Sequence, residues 1–225
     1  MRFFYAPGAC SLGIHFLLEE IGVEYEAVPI IIKEGEQFRP DYVRINPKSK
    51  VPALERDDGS ILTEFGAISH WLANSVGAEE FKSQDLEEEV RTKEILDYVV
   101  GTAHMQGYSR ILRPQKYTPN EADLEWVREK GREIVFSSLD ILSKKLGDNP
   151  FIMGDRLSIA DAAMLYTLFW AIHRLSLDVP PNVTDLYKRL CDRPAAQNAF
   201  RQEGLAQLGS SLAPPYDSAT PLAGL

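Results

Sequence analysis

The hydrophobic pattern changes its period once along the chain. Up to about residue 75, short apolar runs alternate with helix-period stretches; from residue 85 on, only the helical period survives. Residues 1–5 form a short apolar and aromatic run that reads as a buried strand. In 12–21, Leu12, Phe16, Leu17 and Ile21 share one face, with Glu19 and Glu20 outside it and Gly22 following. That spacing predicts a helix with a glycine stop. Residues 25–32 are rich in β-branched side chains and read as a second strand, which Pro29 assigns to a sheet edge. A short helix or turn is expected over 38–45. The runs 52–55 and 61–63 flank Asp57-Asp58-Gly59 as a hairpin, and 67–76 reads as a helix.

The order βαβ, irregular helix, ββα predicts a four-stranded mixed sheet with helices on its faces, because βαβ makes parallel strands and a hairpin antiparallel ones. Ligands of such sheets gather at strand carboxyl ends and the helix N-termini that follow. Beyond it, helices are expected over 85–113 (ended by Pro114), 121–146 (closed by Gly147), 158–174, 184–191 and 195–203. The fold class is therefore an α/β domain over 1–77 followed by an all-α bundle over 85–210. Residues 77–83 read as a linker, and 211–225 as a Pro-, Ser- and Gly-rich tail able to fold back over a cleft. The 158–174 helix is apolar almost all round, from Ile159 to Ile172, which places it mid-bundle. Its start, Ser158-Ile159-Ala160-Asp161, reads as a capping box with Asp in the usual Glu position, making Asp161 a buried structural carboxylate.

Composition narrows the function. The net charge of −9 argues against a nucleic-acid partner and against an anionic membrane surface. No apolar run approaches the roughly 20 residues that span a bilayer, and 1–10 lack a signal-peptide pattern, so a cytoplasmic location is expected. The two cysteines, Cys10 and Cys191, form no metal-spaced or C-x-x-C pair. Cys191 reads as a small packing residue.

Cys10 carries the chemistry. It stands where the first strand breaks over Pro7-Gly8 into a helix, and it is followed by Lys50-Val51-Pro52-Ala53-Leu54 and then Leu62-Thr63-Glu64. A helix N-terminus offers unpaired N–H groups and about half a positive charge. Such a site can lower the thiol's own pKa or attract another molecule's thiolate.

Four stretches in this order resemble the cytosolic glutathione transferase family, bacterial beta type. They are Tyr5-Ala6-Pro7-Gly8-Ala9-Cys10-Ser11-Leu12, then Asn46-Pro47-Lys48-Ser49-Lys50-Val51-Pro52-Ala53-Leu54, then Leu62-Thr63-Glu64, and Gly154 with Ser158-Ile159-Ala160-Asp161. The resemblance covers nearly the whole chain and implies a thioredoxin-like N-terminal domain. It implies a glutathione site in which the Val51-Pro52 bond is cis and the freed Val51 backbone pairs with the cysteinyl unit. Glu64 meets the γ-glutamyl ammonium, and the N–H groups of Phe65 and Gly66 meet its carboxylate. Lys33 or Lys50 meets the glycyl carboxylate. Cys10 lies beside the glutathione sulfur, and Ser11 offers its hydroxyl there; Tyr5 is a weaker candidate, read as packing. Gly101 to Ser109 resembles a beta-type stretch in which His104 faces the cleft as proton donor or orienter, with Tyr108, Ile111 and Trp170 lining the electrophile pocket. Two departures stand out: Phe65 replaces a common Ser or Gly, so its ring is expected to crowd the site, and Met105 replaces a common Lys, making the pocket more apolar.

The leading expectation is conjugation of the glutathione thiolate to a small hydrophobic electrophile, with glutathione as co-substrate, no metal and no bound organic cofactor. One alternative is thiol–disulfide exchange through a Cys10 mixed disulfide; another is a non-catalytic ligand-binding or regulatory protein of the same fold. The resemblance also implies a homodimer.

Overall fold

The computed structural model describes residues 1–75 and 78–206; the expected tail at 211–225 lies outside them, as does the start of the 77–83 linker. The sheet has the order β2-β1-β3-β4, from β1 (Arg2–Tyr5), β2 (Glu26–Pro29), β3 (Ala53–Glu55) and β4 (Ile61–Thr63). β1 runs parallel to β2 and antiparallel to β3, with Phe3 opposite Ala27 on one side and Leu54 on the other. β3 and β4 form the hairpin. The mixed sheet expected from the sequence is present, with Pro29 on an edge strand. β2 is shorter than the predicted 25–32 run, because Ile32–Glu34 and Glu36–Phe38 are single 3-10 turns around Gly35 in the left-handed region. The Glu36 carboxylate accepts from Ile31 N–H at 2.7 Å and so draws the chain off the sheet.

Alternation along β1 sorts its side chains to two cores. Phe3 and Tyr5 join the main core with α1 (Ser11–Ile21) and α3 (Phe65–Ser75). Phe4 joins a smaller one with Ile30, Ala53 and Tyr42 of α2 (Pro40–Ile45). Tyr5 is buried, as its packing reading requires.

The helical half opens with α4 (Leu86–Asp97), a π-helical segment Tyr98–Tyr108 and α5 (Ser109–Leu112), which together fill the predicted 85–113 helix. α6 spans Leu124–Leu146, and α7 (Ile159–Phe169) continues into a π-helical turn, Trp170–Arg174. α8 (Pro181–Cys191) starts one turn earlier than expected, and α9 is Pro194–Gln202. Every residue of α7 is buried, as an all-round apolar helix demands. Asp161 is buried at its start, accepting from Ile152 N–H, Ser158 N–H and the Ser158 hydroxyl at 2.7–2.9 Å. Desolvation pushes its carboxyl up to about 6 despite these donors. Cys191 is buried too.

α1 packs directly on α7, and Gly13 permits it. A Cβ at Gly13 would lie 2.3 Å from the Ala162 carbonyl oxygen and 2.8 Å from the Phe65 ring. Arg193, just before α9, grips Glu20 of α1 with two bonds, the longer 2.8 Å. Among the described residues no helix is long and apolar enough to cross a membrane.

Candidate active site

The β1–α1 loop is held from the second half of the chain. Gly8, in the left-handed region at φ 64°, has both backbone groups taken. Its N–H donates to the Glu203 carboxylate at 2.6 Å, and its carbonyl accepts from Trp170 Nε1 and Arg174 Nη2, each at 2.8 Å. Glu203 also pairs with His15 of α1 at 2.8 Å, both side chains fully buried. Two residues after Gly8, Cys10 forms the N-cap of α1.

Cys10 is half-buried, and its thiol donates to the Val51 carbonyl at 3.5 Å. Burial pushes this thiol up to about 11, against smaller opposing pulls from the backbone groups of Cys10 and Ser11 and from Arg113. Of the two possibilities that a helix start left open, a lowered Cys10 pKa is the one burial disfavours: at neutral pH the group is a thiol, because desolvation outweighs the helix-end donors. The Val51-Pro52 bond is cis, as expected. The Val51 carbonyl, expected to be free, is engaged by Cys10. Lys50 is anchored through its own carbonyl, which accepts from the Tyr42 hydroxyl at 2.6 Å and the Asn46 amide at 2.7 Å.

Ser11 departs from its expected place. Its hydroxyl is fully buried and exchanges bonds with the Ala6 N–H and carbonyl, both at 3.1 Å. It ties the loop to itself, and its hydroxyl is committed there. Phe65 does not crowd the site either. Its ring is buried between α1 and α7, 5.3 Å from the Tyr166 ring and against Gly13, so only its backbone faces the start of α3. Ile111 is another correction: it packs against Gly131 of α6, inside the bundle.

Glu64 sits between β4 and α3 with φ 73°, a left-handed conformation costing roughly 1–2 kcal/mol for a residue with a side chain. Its carbonyl accepts from Ile68 N–H at 3.0 Å, and its exposed carboxylate pairs with Lys48 at 2.7 Å. Lys48 also donates to the Thr63 hydroxyl at 2.9 Å. Lys33 stands exposed in its 3-10 turn.

The π-helical segment sets His104 and Tyr108 against Trp170, at ring distances of 4.8 and 5.7 Å. Single π-type turns recur where helices present functional side chains. His104 Nδ1 and the Tyr166 hydroxyl share a hydrogen bond of 3.2 Å. Burial, with the cations Arg113, Lys50 and Lys116, depresses His104 to about 4, so the imidazole is neutral at pH 7. The Tyr108 hydroxyl is buried with no hydrogen-bond partner among the described residues. Sequence reading missed Tyr166, although it lies four residues before Trp170 and therefore on the same helical face. It also missed Lys48, which stands inside the very loop that carries Val51.

A cis-proline turn, a helix-start cysteine and a helical half that closes over them define a glutathione transferase fold. The chain belongs to the glutathione S-transferase family: the model of its N-terminal domain matches residues 8–75, and that of its C-terminal domain residues 125–190. It is 34% identical to the glutathione S-transferase GstA of Escherichia coli O157:H7, over 91% of this chain and 100% of the relative. It is 29% identical to the disulfide-bond oxidoreductase YfcG of Escherichia coli K12, over 92% of this chain and 95% of the relative. A solved beta-class glutathione S-transferase of Sphingomonas chungbukensis superposes with a TM-score of 0.78 at 29% identity, covering 91% of this chain and 100% of that one.

Proposed function

We propose that this chain conjugates glutathione to small hydrophobic electrophiles, as the name of its GstA relative suggests. The observation that carries this reading is the Cys10 thiol, protonated and bonded to the Val51 carbonyl. A thiol at that position is a hydrogen-bond donor. When the tripeptide pairs with the Val51 backbone, the Cys10 S–H turns from the carbonyl to the incoming sulfur and holds it as a thiolate. The glutathione thiolate, and not Cys10, is then the nucleophile, and the protein contributes proximity and a lowered sulfur pKa.

Residues 1–77 bind the tripeptide. Glu64 exchanges its exposed pair with Lys48 for the γ-glutamyl ammonium, the first amides of α3 take the γ-glutamyl carboxylate, and Lys50 or Lys33 takes the glycyl carboxylate. The electrophile lies against His104, Tyr108 and Trp170, with the neutral imidazole acting as a hydrogen-bonding orienter and not as a charged acid. The chain works in the cytoplasm, as a homodimer, with glutathione as a co-substrate.

Likeness to YfcG favours a second reading, disulfide exchange through Cys10. That route needs a Cys10 thiolate to attack a disulfide sulfur. Cys10→Ala separates the two readings: conjugation of 1-chloro-2,4-dinitrobenzene falls with the lost S–H donor but survives at a useful rate, while reduction of a glutathionyl mixed disulfide vanishes in any protein that works by exchange. Loss of conjugation with Cys10→Ala, alongside robust disulfide reduction by the native protein, would reverse the order. A third, non-catalytic reading drew some support from an expected crowding by Phe65, whose ring is instead buried against Gly13 and Tyr166.

A further inference from the structure

Arg113, Lys50 and Lys116 all act electrostatically on His104, and among the described residues no carboxylate pairs with any of them. Lys50 ends the loop before Val51, Arg113 caps α5, and Lys116 lies in the next turn, the 3-10 segment Pro114–Lys116. All three are exposed. Among the described residues none of them is in an ion pair, although the chain as a whole is acidic. The backbone turn that carries Lys116 is held in place. The Tyr117 hydroxyl donates to the Met105 carbonyl at 2.9 Å, folding the 114–117 turn back onto the helix beside His104. The Arg110 guanidinium covers the Tyr117 ring at 4.5 Å and holds it there.

Like charges held together repel, and here the repulsion registers: Arg113 and Lys50, after desolvation, pull the Lys116 ammonium down. Such a cluster is relieved when an anion shares it. Glutathione accounts for part of the charge, since its glycyl carboxylate suits Lys50 and its sulfur lies near Cys10, which already feels Arg113. Lys116 has no such partner, and it sits on the electrophile's side of the cleft.

We propose that Arg113 and Lys116 bind a carboxylate carried by the second substrate, so that the preferred electrophiles are small, largely apolar molecules with one anionic group. This rests on the conjugation reading for where the electrophile lies. Arg113 supplies a planar fork that matches a carboxylate, and Lys116 a mobile point charge beside it. His104 meets the apolar body, backed by the buried rings of Trp170 and Tyr108.

The test compares 4-chloro-3,5-dinitrobenzoate with its methyl ester. In both, the glutathione sulfur bonds to the ring carbon bearing chlorine, chloride leaves with the electron pair of its bond, and the thiol proton passes to water. The readout is the ratio of the two kcat/KM values, each divided by its uncatalysed rate, so that any effect on the thiolate cancels. Lys116→Gln is expected to lower the ratio about fivefold, as for a partly exposed ion pair. Lys116→Glu lowers it further, Arg113→Gln lowers it comparably, and salt raised from about 0.02 to about 0.5 M lowers it in the native protein. A ratio unmoved by all three substitutions overturns the proposal.

A binding measurement keeps the site testable apart from turnover. Calorimetry should show S-(4-carboxybenzyl)glutathione binding more tightly than S-benzylglutathione, with the preference lost in Lys116→Gln. If neither electrophile reacts but this preference appears, the conjugation reading falls and the anion site stands. Equal binding of the two conjugates, or binding of neither, overturns the site.

Discussion

Removing the Glu203 carboxylate takes away two buried bonds at once: the ion pair with His15 at 2.8 Å and the bond from Gly8 N–H at 2.6 Å. Breaking a buried pair by deleting one partner costs about 3–5 kcal/mol, since the other is left uncompensated. The orphaned Gly8 N–H adds roughly 1–3 kcal/mol, and the two losses overlap because they share one carboxylate. Glu203→Ala is therefore expected to destabilise the chain by about 4–6 kcal/mol, which lowers Tm by roughly 10–20 °C at this chain length. Glu203→Gln keeps an acceptor for one of the two donors and should lose about half as much. Calorimetric melting and urea unfolding, both reporting the same order, are the measurements. Gly8 precedes Cys10 by two residues, so Glu203→Gln should also speed alkylation of Cys10 at temperatures where the fold is intact. A loss under about 1 kcal/mol for Glu203→Ala would refute the reasoning, since it would mean that His15 and Gly8 find other partners at little cost.

Alkylation of Cys10 by iodoacetamide, followed in a Cys191→Ala background without glutathione, should rise with pH and inflect near 11; a plateau reached by about pH 8 would show a free thiolate instead. Gly13→Ala forces a methyl group against the Ala162 carbonyl oxygen at 2.3 Å, and denaturant unfolding should register a loss of about 2–3 kcal/mol or more. His104 has its folded pKa depressed to about 4, below the ordinary histidine value. The unfolded chain therefore takes the proton first, so stability from this group is present above about pH 6.5 and is lost as pH falls toward 4. His104→Gln should flatten that part of the stability–pH curve; an unchanged slope would rule out a buried neutral imidazole.

The strands and helices of the first half were legible because each carries its own local signal: the aromatic β1, the Gly22 stop after α1, and the Asp57-Asp58-Gly59 turn. Asp161 was legible too, since a capping box is a pattern of neighbours. What was left open or misplaced depended mostly on contacts between distant segments, and otherwise on side chains competing for nearby backbone groups. The sign of the Cys10 shift is set by how deeply the thiol is buried near Val51, and the helix-start rule knows nothing of that depth. The direction of the Phe65 ring follows from the gap Gly13 leaves between α1 and α7. Ile111 faces α6 because Gly131 leaves room for it, a pairing twenty residues apart with no marker in either stretch. Ser11 read as a donor to the ligand because its position was right, but its hydroxyl was already committed to Ala6. β2 ended early because a side chain, Glu36, competed for the backbone N–H of Ile31.

The same contacts explain why the thiol site needs both halves of the chain. Ser11 through Leu18 of α1 are all buried, so this helix has no face prepared for water. Part of its cover comes from α7, and α9 is tied to it through Arg193 and Glu20. The Gly8 loop, which aims Cys10, has its carbonyl satisfied from Trp170 and Arg174 and its N–H from Glu203, across sequence separations of 162 to 195 residues. A buried backbone group left without such partners costs about as much as a lost hydrogen bond or more. The sheet alone thus supplies the turn at Val51 and the strained Glu64, while the position and protonation of the Cys10 sulfur are properties of the assembled chain.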